Sequence, residues 1–421
     1  MLKNEQNQHI TKISYHSPLR GAVNLQSDPD LTNFLITLSI LLNKKLSIKA
    51  DFLNSTVSDY VNILNNYGIS INTYGDSAFV QGDLTVNEGF ILSSKELYEK
   101  YIILLVLSKR GYINLVENKE LIDFFSYLGF VCKKDLNGTR IYNKVLKKKS
   151  TITFYTFNYE YILLAILSLI LNNDKFTIFL PSLNPSLKIL FSLLKDIGFV
   201  EKIEYGNFVS IYFNTSTIYK DLDDLEVPRD YKEFLFFSVA TILTKGDIEF
   251  EGINISYLVN SLKILSNFGI SYDAFDNNKV RIWFSEWPKE PFPNIQDTGI
   301  STEVLRIFLL TVLPILPKNH LPKSISLSSD KHKVLIQDLN SLGCGLEIPQ
   351  KDLILVKKPG VFRKNEIYFQ PRQLEDNYAR LLSTLLTFET NLVYHISYIL
   401  SFNYSILDKL SNLGAYYEHI T

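Results

Sequence analysis

The strongest constraint in this sequence is a recurrence. Six times, at intervals of about 60 to 75 residues, an apolar helical run is followed by a short strand, an amphipathic helix ending in glycine, and one or two more strands. The glycines are Gly68, Gly129, Gly198, Gly269, Gly343 and Gly414, in NYGIS, YLGFV, DIGFV, NFGIS, SLGCG and NLGAY. A glycine at the end of a helix suits a left-handed cap, where a Cβ is strained. The strands ahead of the second helices read LSIKA, YINLV, FTIFL, IEFEG, SISLS and LVYHI, alternating or briefly apolar as half-buried strands do.

The two helices of each unit differ in kind. The first ones begin near Leu31, Glu96, Tyr159, Tyr231, Glu303 and Asn377 and are apolar almost all round, as in FLITLSILL and YILLAILSLIL. Such a helix has to be covered on nearly every side. The second ones, such as VSDYVNILNNYG and LKILFSLLKDIG, keep a polar face and belong outside. This order predicts an α/β (α+β) chain of six β-α-β-α-β-β units with strands wrapped outside buried helices, three units closing each of two domains.

Composition removes several function classes. The formal net charge is -1, from 43 basic and 44 acidic side chains, which offers nucleic acid or an anionic membrane no general attraction. A six-repeat DNA clamp would need a basic inner wall and one helix per unit, and neither is written here. Lys147, Lys148 and Lys149 form the tight basic run and read as a solvated loop. Cys132 and Cys344 are too few for a disulfide framework and have no zinc spacing, which fits a reducing cytoplasm; each reads as a small buried apolar residue. The polar opening MLKNEQNQHI is unlike a secretory signal, and the longest apolar run, 161–171, is too short to span a bilayer. The six histidines show no metal spacing; His332 reads as a surface residue, and no cofactor motif occurs.

With the repeat in hand, local segments add a resemblance. PLRGAVNLQSDPDLTNFLITLSILL is similar to the first β-α unit of the enolpyruvyl transferases, with Gly21, Val23 and Leu25 in register. RDYKEFLFFSVATILTKG resembles their fourth unit and carries its acidic pair as Asp230 and Glu233. GISTEVLRIFLLTVL resembles the stretch holding the catalytic aspartate, and Glu303 falls on it. SSDKHKVLIQDLNSLG resembles the Lys-Glu-Thr-Asp-Arg segment of the shikimate branch, with Asp330 and Lys331 on its last two positions. EDNYARLLSTLL resembles the Asn-Asp-His-Arg-Met-Ala segment and keeps Asp376. The resemblance implies the two-domain clamshell of inside-out α/β barrels, with residues 21–227 as one domain and 1–20 plus 228–421 as the other. It implies Glu303 as candidate base with Lys331 beside it. Lys100, Asp230, Glu233, Asp330 and Asp376 would lie around a small-molecule ligand in the interdomain cleft.

The departures point the other way. The family reaction moves the enolpyruvyl group of phosphoenolpyruvate to a hydroxyl, and needs cations around two anionic substrates. The family's catalytic lysine aligns with Pro29 and its substrate arginine with Phe34. Its Ser-Ser-Gln phosphate grip aligns with Asn158, Tyr159 and Glu160. The glutamate of Lys-Glu-Thr-Asp-Arg aligns with Ser328, the arginine of Asp-His-Arg with Tyr378, and a late lysine with Tyr404. The second-unit loop is missing, because YINLVENKELIDFF runs from strand to helix directly. Only Lys100 falls near a family arginine.

Independently of alignment, the starts of the first helices carry Asp28, Asp30, Glu96, Glu160, Asp230, Glu233, Glu303, Glu375 and Asp376. Helix N-termini attract anions, and here the chain supplies its own, which reads first as helix capping. The expectation is a degenerate homologue of 3-phosphoshikimate 1-carboxyvinyltransferase that has lost phosphoenolpyruvate-dependent transfer and acts as a binding or scaffold protein. A repurposed transferase with Glu303 as base is the alternative. No cofactor, metal, nucleic acid or membrane is expected; a protein partner stays open, and a partner-binding repeat protein would show an exposed apolar patch.

Overall fold

The computed structural model describes residues 10–44, 46–81, 97–115, 118–135, 138–145, 149–155, 159–172, 175–217, 222–276, 278–287, 303–317, 325–327, 330–351, 353–356, 366–370, 374–386 and 390–420. Glu96, Lys147, Lys148, Asn158 and Ser328, singled out above, lie outside them. The chain divides into two compact units, one of residues 27–228 and one of residues 1–26 with 229–421.

In the first unit, helices Pro29–Leu42, Leu97–Arg110 and Tyr159–Asn172 pack on one another. Their middles are sealed: Leu35, Ile36, Leu104, Leu105, Leu164 and Ile166 are wholly buried. Three sheets surround them, with central strands Leu46–Lys49, Gly138–Val145 and Lys175–Leu180 within or beside antiparallel hairpins. Amphipathic helices Ser55–Asn66, Lys119–Tyr127 and Pro185–Ile197 cover the outside.

The second unit repeats this plan with helices Tyr231–Thr244, Glu303–Leu309 and Leu374–Ser383. Apart from Lys232, all of Tyr231–Thr244 is buried. Three of its polar side chains are satisfied within the helix: Ser238, Thr241 and Thr244 hydroxyls donate to the carbonyls of Phe234, Phe237 and Ala240 at 2.8, 2.9 and 2.8 Å. The strand Ile10–Tyr15 lies between Asn391–Tyr394 and Ala415–Ile420, antiparallel to both.

The division after residue 26 has a physical reason. In sequence, strand Arg20–Asn24 leads into helix Pro29–Leu42, yet it pairs in parallel with Asp247–Glu251. The converse holds for Leu222–Glu226, which leads toward helix Tyr231–Thr244 but pairs in parallel with Leu46–Lys49. The strand entering each unit's first helix thus belongs to the other unit's sheet.

All six recurrent glycines have positive φ, between 84° and 109°. At Gly198, which caps helix Pro185–Ile197 with φ 94°, the backbone N–H closes onto Lys195 O at 3.0 Å. Cys344 is buried as expected, but Cys132 is only half-buried on strand Phe130–Asp135. No helix among the described residues is long and apolar enough to cross a membrane.

Candidate functional site

Helices Glu303–Leu309 and Leu374–Ser383 both open on acidic residues, and the ring of His332 lies between those openings. His332 precedes outer helix Lys333–Ser341, and its side chain is turned inward, 3% exposed. The surface position expected from the sequence is therefore corrected. Nδ1 meets Asp376 Oδ1 at 2.7 Å and Nε2 meets Glu303 Oε1 at 3.1 Å. An imidazole that faces a carboxylate at each nitrogen satisfies both only when doubly protonated. Burial pulls its pKa down, but the bonds and charges of Asp376 and Glu303 outweigh it and raise the pKa to about 9.

Glu303 is the exposed end of this chain of charges, with 41% of its side chain in contact with solvent. Lys331 Nζ stands 3.4 Å from the same Oε1. The bond from His332 is the main cause that lowers Glu303 to about 2, against burial and with help from Lys331. Such a carboxylate is a poor proton acceptor at neutral pH. Beside it, Lys232 Nζ pairs with Glu375 at 3.3 Å.

A second group is fully enclosed. Glu233 has no exposed surface, and its Oε1 accepts from Asn403 Nδ2 at 2.7 Å and Lys409 Nζ at 2.6 Å. Its Oε2 accepts from the backbone N–H of Gln26 at 2.6 Å. Asp230 caps helix Tyr231–Thr244 by accepting from Lys232 N at 2.8 Å, and also takes Gln26 Nε2 at 3.2 Å. Burial pushes its carboxyl up despite the charge of Lys232. These two acids hold Gln26, the last residue before the chain enters the other unit, to the start of that helix and, through Glu233, to the C-terminal segment.

In the unit of residues 27–228, Lys100 pairs with Glu160, and its Nζ lies 5.6 Å from the centre of the Tyr161 ring. Asp330 is apart from all of this: its side chain is 77% exposed and 3.8 Å from Lys351. The structure thus brings Glu303, Lys331 and Asp376 together through His332, joins Asp230 to Glu233 through Gln26, and leaves Asp330 on the surface.

Of the four positions where family cations are replaced, two are core positions here: Phe34 and Tyr378 are wholly buried, and Tyr378 packs against Phe236 and Phe308 with ring centres 5.1 and 5.9 Å away. Pro29 is half-buried and Tyr404 is exposed. Of the helix-start acids, Asp28 and Asp230 are true caps; Asp28 Oδ1 accepts from Asp30 N and Leu31 N at 2.9 and 3.0 Å. Glu160, Glu233, Glu303, Glu375 and Asp376 each face a protein cation instead. The acids were visible in sequence, but Lys232, His332 and Lys409 as their partners were not, because each pairing spans segments far apart in the chain. No group of three or more His, Cys, Asp or Glu side chains among the described residues is arranged to hold a metal ion.

No protein-family model matches the chain, and no curated protein matches it in sequence. Solved structures do. The chain is similar to the enolpyruvyl transferase NikO from Streptomyces tendae with a TM-score of 0.78 and 15% identity, covering 98% of this chain and 99% of that one. It is similar to an EPSP synthase from Acinetobacter baumannii with a TM-score of 0.69 and 12% identity, covering 98% and 100%. The chain has the enolpyruvyl transferase fold over nearly its whole length.

Proposed function

We propose that this chain is a degenerate homologue of 3-phosphoshikimate 1-carboxyvinyltransferase that no longer transfers an enolpyruvyl group and serves as a binding or scaffold protein. The observation that carries the reading is the state of Glu303: His332 and Lys331 both bond its Oε1. A transferase needs these cations for phosphate and carboxylate groups of its substrates. Here they serve the protein's own carboxylates, and the acid in the family's base position is held far below the range in which it would accept a proton.

The alternative is a repurposed transferase or an eliminating enzyme acting on a less charged ring, with Glu303 as general base. Its support is the half-exposed Glu303 carboxylate beside an imidazole. Activity surviving Glu303→Gln would remove that residue from the mechanism.

The deciding measurement is thermal stability with shikimate 3-phosphate, phosphoenolpyruvate and both together. A ligand at a hundredfold its Kd stabilises the native state by about 2.7 kcal/mol, a shift of about 5–10 °C for a domain-sized unit. The expected result is no shift with any of the three. A cooperative shift with both, or release of phosphate from phosphoenolpyruvate, would overturn the proposal.

A further inference from the structure

Strand Ile270–Asp276 lies at the end of its four-stranded sheet, beside Lys279–Phe284 and with no described strand on its other side. The ladder fixes which backbone groups face that open side. Ser285 N–H donates to Gly269 O at 2.9 Å, while Phe284 N–H turns the opposite way, to Gly246 O at 3.0 Å. This alternation runs along an antiparallel pair, so Ser271 and Asp273 bond toward their register partners Trp283 and Arg281. Tyr272 and Ala274 therefore turn N–H and C=O outward. Both residues are exposed, and neither has a backbone partner on that side among the described residues.

The edge runs beside a groove of about 520 Å³ whose walls include Ser271, Tyr272, Asp273, Trp283 and Glu286. Side chains alternate across a strand, so Ser271 and Asp273 share the face of Trp283 and Arg281, and Tyr272 lies on the other. The groove is acidic. Asp273 and Glu286 are exposed and form no ion pair among the described residues. Arg281 and Lys279, on the same face, are already committed. Arg281 bonds Asp247 twice, at 2.8 and 2.6 Å, and Lys279 pairs with Glu249 and Glu251. Other outer strands carry residues that discourage further pairing: Phe130–Asp135 has Lys133 and Lys134, and Leu346–Gln350 has Pro349. Ile270–Asp276 has neither lysine nor proline.

We propose that this edge receives an extended peptide segment of a partner protein, added as a further strand, in which basic residues alternate with apolar ones. The outward N–H and C=O groups of Tyr272 and Ala274 bond the peptide backbone. Lysine or arginine side chains fall on the face of Asp273 and Glu286, and the intervening apolar side chains pack beside Tyr272. An acidic segment is disfavoured by like-charge repulsion. A second copy of this same strand is disfavoured likewise, because it brings its own aspartates to an acidic edge. The inference rests on the reading of the chain as a binding protein and names the class of partner.

The chain has two tryptophans, Trp283 on the groove wall and Trp287 four residues on, so their fluorescence reports occupancy of the groove. Titrating the full chain with the peptide acetyl-Lys-Val-Lys-Val-Lys-Val-amide should give a saturable change. Binding should be at least about tenfold tighter than for the counterpart with glutamate in place of lysine. Asp273→Lys combined with Glu286→Lys should reverse that preference, with a melting temperature within about 2 °C of the parent, since both positions are exposed. The lysine peptide methylated at every backbone nitrogen should bind at least about tenfold more weakly. No saturable change below about 1 mM, equal binding of the methylated peptide, or an unreversed preference in the doubly substituted chain would each overturn the inference. So would self-association through this edge, seen as sedimentation that shifts with protein concentration in the parent and not in Tyr272→Pro. Failure on any of these counts leaves the loss of enolpyruvyl transfer standing, since release of phosphate from phosphoenolpyruvate is measured separately.

Discussion

His332 is held at both ring nitrogens by carboxylates from two different helices, and a residue so placed acts on stability before it acts on chemistry. Its pKa is raised from 6.5 to about 9, so its stabilisation is fully present below pH 6.5 and is lost as pH rises through 9. Glu303 is lowered from 4.5 to about 2, so its share is present above pH 4.5 and is lost as pH falls through 2. Denaturation midpoints across pH should therefore form a plateau between 4.5 and 6.5, with a decline on the alkaline side. His332→Gln should remove that alkaline slope; an unchanged slope would assign it to another group. His332→Ala leaves the buried Asp376 without its cation and should cost about 3 kcal/mol. Little of this cluster was legible in the sequence. Glu303 and Asp376 stood out as acids at helix starts, but one histidine in a polar segment carries no periodicity that tells inward from outward.

At the scale of elements, helices and strands announced themselves because their periods are local. The six helix-ending glycines did so too, and two of them, Gly198 and Gly269, differ in a way that mutation can separate. Gly198, with φ 94°, has nothing within 4 Å of the place a Cβ would take, so Gly198→Ala meets only backbone strain, about 1–2 kcal/mol. Gly269, with φ 86°, would set its Cβ 2.7 Å from Phe284 Cε2 and 2.8 Å from the Glu286 carbonyl oxygen. Gly269→Ala should therefore cost clearly more, about 3 kcal/mol or above, since backbone cannot yield as a side chain does. Equal losses in urea denaturation would refute the distinction. Breaks within elements were less legible. The last amphipathic stretch reads as one helix, yet it forms Ser397–Leu400 and Ile406–Asn412 with Asn403 buried between them, its side chain committed to Glu233. That break answers a partner 170 residues away in the chain, which no local pattern reports.

For the whole molecule, the exchange of entering strands sets which parts can fold alone. The segment 27–228 contains every strand of its three sheets, including Leu222–Glu226, so it holds its own parallel partner for Leu46–Lys49. The other unit is discontinuous. Residues 229–421 by themselves lack Ile10–Tyr15, which separates Asn391–Tyr394 from Ala415–Ile420, and Arg20–Asn24, the parallel partner of Asp247–Glu251. They also lack Gln26, whose backbone N–H and side chain engage Glu233 and Asp230. Removing them leaves strand edges unpaired and two buried carboxylates short of donors. Expressed separately, residues 27–228 should show a cooperative thermal transition, whereas residues 229–421 should not. Adding a peptide of residues 1–26 should restore a cooperative transition to the second piece, with a melting temperature that rises with peptide concentration. A cooperative transition of residues 229–421 without the peptide would mean that the N-terminal strands add to a sheet already stable. Failure of residues 27–228 to fold would mean that its three helices and three sheets need more than the contacts within their own unit.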